Sequence, residues 1–226
     1  MCQFKSGIVL KNGTILSHLD FDSHEQIIEH YHLKDDGIKN DFVRVEIIPR
    51  GKTLTEAIEH LNLKTWKLHV DQDNIPDWWK ATEKHAEKEM LKILKDNVKK
   101  RWILRNKSIE EIKDGQNWYV CGKVNHVSGS ATINYVSGSA TINSVSGSAT
   151  INYVYGSATI NSVYGSATIN YVYDSATINS VSGSATINHV SGSATIKDVK
   201  DNSVILISRD NGKLKIRTAL EVEVVK

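Results

Sequence analysis

The segment His18-Leu19-Asp20-Phe21-Asp22-Ser23-His24 carries His or Asp at every even position. In an extended chain alternate side chains share a face. His18, Asp20, Asp22 and His24 would then converge as ligands for a divalent metal or as an acid–base group. The plainer reading is a solvated strand face followed by a helix capped by Ser23 or Asp22. A sharp ligand motif such as His-Glu-x-x-His is missing, so these four are weak metal candidates and no cofactor is assigned. Arg44 and Glu46 share one face of the apolar run Phe42–Ile48. They can join such a site, or form an exposed pair worth little. Cys2 follows the initiator Met, and after removal of that Met its thiol can act as a nucleophile with the chain's own amine as base. Cys2 and His24 are therefore the catalytic candidates. The bland alternative for Cys2 is a small hydrophobe leading into the first strand.

A second chemistry lies between Lys92 and Lys107, where seven basic residues (Lys92, Lys95, Lys99, Lys100, Arg101, Arg105, Lys107) face only Asp96, a local net charge of +6. With Trp102 this stretch can meet phosphate backbones. The favoured reading is the solvated side of an amphipathic helix whose last turn suits cations.

The elements that must position these residues read as follows. Gly7–Leu10 and Thr14–Leu16, joined by Lys11-Asn12-Gly13, form a hairpin of the kind Asn-Gly turns favour, type I′. A helix over His24–His32 directs Ile27, Ile28 and Tyr31 to a core. Phe42–Ile48 and Thr65–Val70 are strands, Thr55–Leu61 is a short helix, and Ile75-Pro76-Asp77-Trp78-Trp79 opens a longer helix that runs to about Trp102. Ser108–Ile112 reads as a last helical turn, stopped by Asp114-Gly115.

From Val127 to Val199 the chain repeats Ser-Ala-Thr-Ile eight times, beginning at Ser130 and recurring every nine residues to Ser193. A fixed period marks a repeat architecture. Within Ser-Ala-Thr-Ile-Asn, Ala and Ile alternate with Thr and Asn, the period-2 signature of a strand. Ser-Gly then supplies a turn once per repeat. A longer period shows at the ninth position, where Tyr135, Ser144, Tyr153, Ser162, Tyr171 and Ser180 alternate. The true repeat is therefore eighteen residues, and the chain predicts a parallel β-solenoid whose coils have two nine-residue halves. Tyr135, Tyr153 and Tyr171 stack on one side. Tyr155, Tyr164 and Tyr173 make a second group after Val, and roughly five coils span about 24 Å. The array resembles the solenoid class of pentapeptide-repeat proteins and nonapeptide β-rolls. That resemblance is architectural. Gly rather than Asp holds the turns, Asp174 excepted, which argues against calcium. The Thr and Asn rows resemble those of ice-binding solenoids, although the Tyr rows argue against that use. Balanced charge from Trp118 to Ile207 argues against DNA mimicry.

With 226 residues, a net charge of +2 and 40% hydrophobic content, the chain has room for one ordinary domain beside the array. Residues 1–115 read as an α/β head within an α+β domain, 116–207 as the solenoid and 208–226 as a C-terminal β cap. The cap is a hairpin of Val204–Ser208 and Lys213–Thr218. The lack of an apolar run near 18 residues and of a secretory segment predicts no membrane association, and two cysteines fit a reducing cytoplasm.

Met1-Cys2, Ser6–Val9, Asp22-Ser23-His24, Arg44–Ile47 and the Trp66–Trp79 segment with its Asp-Gln resemble a group of small uncharacterised phage and metagenomic proteins in which short tandem repeats often follow. That resemblance implies a phage-type accessory protein in the host cytoplasm, with no established activity. The leading expectation is a non-enzymatic binding protein. Its solenoid tyrosines, with Arg44 and Glu46, would engage a host macromolecule, a defence enzyme or toxin that it inhibits. The alternatives are an enzyme of the N-terminal-nucleophile hydrolase type using Cys2, a metal or acid–base site at His18–His24, and nucleic-acid binding through Lys92–Lys107. Solenoid ends can also pair into oligomers.

Overall fold

A computed structural model describes residues 5–34, 41–51, 57 and 61–205. Two compact units divide the chain, Met1–Arg101 and Trp102–Lys226. The expected cap hairpin lies outside the described residues apart from Val204–Ile205, as do Cys2 and, except for Ala57, nearly all of the expected helix at Thr55–Leu61.

In the N-terminal unit, β1 (Lys5–Leu10), β2 (Ile15–Leu16), β3 (Phe42–Pro49) and β4 (Trp66–Val70) form an antiparallel sheet in the order β2-β1-β3-β4. The first hairpin closes through a three-residue loop with Gly13 at φ +85°. Asn12 is not left-handed, so the turn is not type I′. A lone left-handed Gly ending a three-residue loop is the next commonest way to match strand twist. Helix α1 (His24–His30) is capped by Ser23, whose hydroxyl accepts from the Gln26 amide. Ile27 of α1 packs on Ile8 and Phe42. Tyr31 leaves that core and is exposed, its hydroxyl donating to the Ser17 carbonyl at 3.1 Å. Helix α2 (Trp79–Arg101) buries Trp79, Ala86, Met90, Leu94 and Val98. A Cβ on Gly7 would sit 2.6 Å from the Met90 sulfur, so α2 packs closely on β1 there and a larger residue would require the Met90 side chain to move.

The second unit is a parallel β-solenoid of about six coils. One sheet has seven strands (Trp102–Ile103, Trp118–Val120, Thr132–Val136, Thr150–Val154, Thr168–Val172, Thr186–Ile187, Val204–Ile205). The other has six (Ser108–Ile112, Lys123–Val127, Thr141–Val145, Thr159–Val163, Thr177–Val181, Thr195–Val199). Seven strands at about 4.8 Å span roughly 29 Å. Ser108–Ile112 is therefore a strand and not a helical turn, and the solenoid strands begin at Trp102, before the 116 read from the sequence. Val204–Ile205 pairs in parallel with Thr186–Ile187 as the last strand of the seven-stranded sheet.

Register explains the stability of the array. Thr150 pairs with Thr132 and Thr168, Ile151 with Ile133 and Ile169, and Val154 with Val136 and Val172. Each residue thus stacks on its own kind, eighteen positions away. Ala, Ile and Val from both sheets form one dry core. At about 25 cal/mol per Å² such burial supplies the main driving force, and no single coil could achieve it alone. Asparagines extend the rule to the outside. Asn134, Asn152, Asn170 and Asn188 each donate through Nδ2 to the Oδ1 of the asparagine one coil earlier, at 2.7–3.2 Å. Asn143, Asn161 and Asn179 do the same on the other sheet at 2.8–3.0 Å. Turn residues also stack: a Cβ on Gly147 (φ +66°) would lie 2.9 Å from the Gly129 amide nitrogen. Asp174 and Asp201 take the same left-handed turn position, and their carboxylates accept from Gly156 and Gly183 amides at 3.2 and 3.0 Å.

Two substitutions separate these contributions. Ile151→Ala empties a fully buried site and is expected to cost about 2–5 kcal/mol. Asn152→Ala removes one donated and one accepted bond and is expected to cost about 1–3 kcal/mol. Urea unfolding followed by circular dichroism should rank Ile151→Ala below Asn152→Ala, and both below the parent chain.

Candidate functional site

The His18–His24 segment is not extended. The chain bends at Leu19 and Asp20, and the four side chains disperse. His18 stacks on Phe21 at 4.1 Å and packs against His30 at 4.8 Å, while its Nδ1 accepts from the Asp20 amide. Asp20 pairs with Arg101 at 2.8 Å. Asp22 pairs with the buried Lys5 at 2.5 Å, and the Lys5 ammonium also donates to the His18 carbonyl. The common face expected for His18, Asp20, Asp22 and His24 does not form. Two of its carboxylates are drawn to separate cations, and the bend breaks the alternation that a shared face requires.

His24 belongs to a different cluster. It opens α1, is 1% exposed, and directs Nε2 to the Val45 carbonyl at 3.0 Å and Nδ1 to Asp71 Oδ2 at 3.2 Å. Glu46, 2% exposed on β3, brings a carboxylate so that donor atoms of His24, Glu46 and Asp71 all lie within 4.8 Å of one another. Asp71 follows β4 directly and is held there by backbone pairing: its amide donates to the Arg44 carbonyl at 2.9 Å, and Gln72 Oε1 accepts from the Arg44 amide at 2.8 Å. The Arg44 guanidinium lies over the Phe42 ring at 5.3 Å. Sequence spacing identified His24 and Glu46 but not Asp71, because no periodicity relates Asp71 to residues 25 and 47 positions earlier. Its one signal was the Asp-Gln pair ending a strand.

On the solenoid, the seven-stranded sheet carries a continuous aromatic column. Trp102, Tyr119, Tyr135, Tyr153, Tyr171 and His189 follow one another with ring centroids 5.1–5.4 Å apart. The Tyr135–Tyr153 and Tyr153–Tyr171 planes lie within 15° of parallel. The strand spacing imposes this offset stack, worth about 0.5–1.5 kcal/mol per pair. Tyr155 and Tyr173 form a second stack beside it at 5.2 Å, and Tyr155 meets Tyr135 edge-on. Burial, with the neighbouring Tyr155, pushes the Tyr173 hydroxyl well above the usual phenol range. Its hydroxyl therefore stays neutral through the physiological pH range. Tyr164 does not join this group. It follows the strand Thr159–Val163 of the six-stranded sheet, half a coil away, and is 43% exposed. Nine residues carry the chain to the opposite side, and only eighteen bring it back.

The basic stretch divides. Lys92, Lys95, Lys99, Lys100 and Arg101 lie on α2, whereas Arg105 and Lys107 follow it in the first coil of the solenoid. Lys92, Lys100 and Arg101 pair with Glu89, Asp96 and Asp20 at 2.5–2.8 Å. Cys121 is buried, its sulfur 3.4 Å from the Ser137 hydroxyl. Among the described residues, no helix is long and apolar enough to cross a membrane.

No protein-family model, curated protein or solved structure matches the chain significantly.

Burial lowers the His18 pKa, nearby His30 and Lys5 lower it further, and Asp20 opposes them. The folded unit thus favours neutral His18. The stability this contributes is present above the ordinary value of 6.5 and is lost as pH falls through the depressed folded value. Chemical denaturation of the full chain should show the N-terminal unit weakening as pH falls below 6.5, and His18→Gln should flatten that dependence.

Proposed function

We propose that this is a non-enzymatic binding protein whose solenoid presents its aromatic column to a macromolecular partner. The observation that carries this reading is the column itself. Four successive coils place Tyr119, Tyr135, Tyr153 and Tyr171 in a stacked row that needs little ordering on binding. Tyr171 remains 42% exposed although it is stacked. Aromatic rings held in this way lose little conformational entropy at an interface, and tyrosine is enriched among residues that dominate binding energy. The opposite sheet supplies an internal contrast. It holds Ser144, Ser162 and Ser180 at the equivalent position, with the same backbone pairing. Tyrosine is therefore not required to build a coil, and its restriction to one side supports a role beyond stability.

The partner proposed is a host protein, a defence enzyme or toxin whose active surface the solenoid covers. This class follows from the likeness of the N-terminal residues to phage-type accessory proteins. The row is built of tyrosines rather than lysines or arginines, which favours a protein surface over the phosphate backbone of a nucleic acid.

Because serine already occupies the matching position across the coil, Tyr153→Ser with Tyr171→Ser is a substitution the fold should tolerate. Affinity capture from host lysate with the full chain should retain a partner that the double variant loses, with affinity weakened by about 2 kcal/mol or more. Circular dichroism should show the β-signal of both proteins to be the same. Equal retention by the two proteins would overturn the aromatic column as the binding face.

A further inference from the structure

We propose that His24, Glu46 and Asp71 form a binding site for one divalent transition cation of the Zn²⁺ class. The site is separate from the solenoid and independent of the proposed binding face.

The argument begins with the histidine. A metal-ligating imidazole characteristically donates its other ring N–H to a backbone carbonyl or carboxylate, which fixes the tautomer and aims the remaining lone pair. His24 has this arrangement. Nε2 lies 3.0 Å from the Val45 carbonyl, which can only accept, and Nδ1 is the ring nitrogen left to face Asp71 Oδ2 at 3.2 Å. A nitrogen lone pair and a carboxylate oxygen repel each other unless a proton or a cation lies between them. Two ligand atoms each about 2.0 Å from a tetrahedral zinc are about 3.3 Å apart, which matches the separation found. Glu46 supplies the third donor within 4.8 Å of the other two.

Charge and burial point the same way. Two carboxylates stand beside the imidazole, and Glu46 is almost wholly buried. A divalent ion is the counter-charge that such a donor set suits.

A second observation comes from β1. Ser6 lies directly across from Glu46 in the sheet, so the two side chains share a face. The Ser6 hydroxyl is fully buried and has no hydrogen-bond partner among the described residues. Buried hydroxyls of this kind usually mark the place of a water or an ion. Here the hydroxyl lies on the sheet face that carries Glu46. Asp71 is about half exposed, which leaves that side open for entry and for an exchangeable fourth ligand. One imidazole with two carboxylates suits Zn²⁺ and its neighbours in the transition series, whereas Ca²⁺ prefers six or more oxygens.

The test is titration of metal-stripped full-length protein with ZnCl₂ by calorimetry, together with Co²⁺ absorption as a report of ligand geometry. One equivalent should bind, with the visible spectrum of a low-symmetry four- or five-coordinate Co²⁺ site. Asp71→Asn, at an exposed position that should leave folding intact, should weaken Zn²⁺ binding at least about tenfold, or about 1.4 kcal/mol. His24→Gln and Glu46→Gln should weaken it further. Glu89→Gln, on α2, should leave it unchanged. Absence of binding by the folded parent chain would overturn the proposal. So would binding that Asp71→Asn and His24→Gln both leave intact, since exposed histidines elsewhere would then be the ligands.

Discussion

The repeats of the C-terminal unit depend on one constraint, the parallel pairing of each repeat strand with the strand eighteen residues away. Main-chain hydrogen bonds hold the coils in register. Ile151 must then sit on Ile133, Asn152 on Asn134 and Tyr153 on Tyr135. Stacking like on like is favourable only for some side chains. Isoleucine and valine interdigitate in a dry core, asparagine both donates and accepts, tyrosine stacks its ring, and glycine lets left-handed turns lie directly on one another. Charged residues would repel at the same spacing, which accounts for their near absence from the repeats.

The N-terminal unit works by a different principle. Its sheet is short and each strand has its own sequence, so specific polar contacts replace repetition. Lys5 is buried among the His18 and Phe21 carbonyls and the Asp22 carboxylate. Burial raises the Asp22 pKa while the adjacent Lys5 ammonium lowers it. Removing one member of such a pair would leave the other charge without compensation, at a cost far above that of a surface pair. The same bend that joins Asp22 to Lys5 frees the start of α1 to place His24 over β3, beside Glu46 and Asp71. Structural and candidate ligand residues therefore alternate along a few positions of chain, and each is assigned by the partner it meets.

The two units offer separate chemistry. A stacked aromatic row suits a broad, uncharged contact in which area and rigidity matter. A histidine with two carboxylates suits a small, highly charged ligand. Neither group of residues contributes to the other, so loss of one property leaves the other measurable.

Periodicity alone determined most of the solenoid: the nine-residue half, the eighteen-residue coil, the Ala–Ile–Val core and the side on which Tyr135, Tyr153 and Tyr171 stack. These are legible because each copy repeats the same local physics. The first coil escaped that reading. Trp102 pairs with Tyr119, Tyr119 with Tyr135, and Ser108 with Lys123, offsets of 17, 16 and 15 residues rather than 18. With no fixed period and a strand rich in glutamate, Ser108–Ile112 looked helical, and only pairing with Lys123–Val127 makes it a strand. In the N-terminal unit, alternation and capping signals located β1, β3, β4 and α1. They could not show that the chain bends at Leu19, that Lys5 draws in Asp22, or that Asp71 meets His24. Those contacts join residues far apart in sequence, and no local pattern encodes a distance that only the packed sheet and helix create.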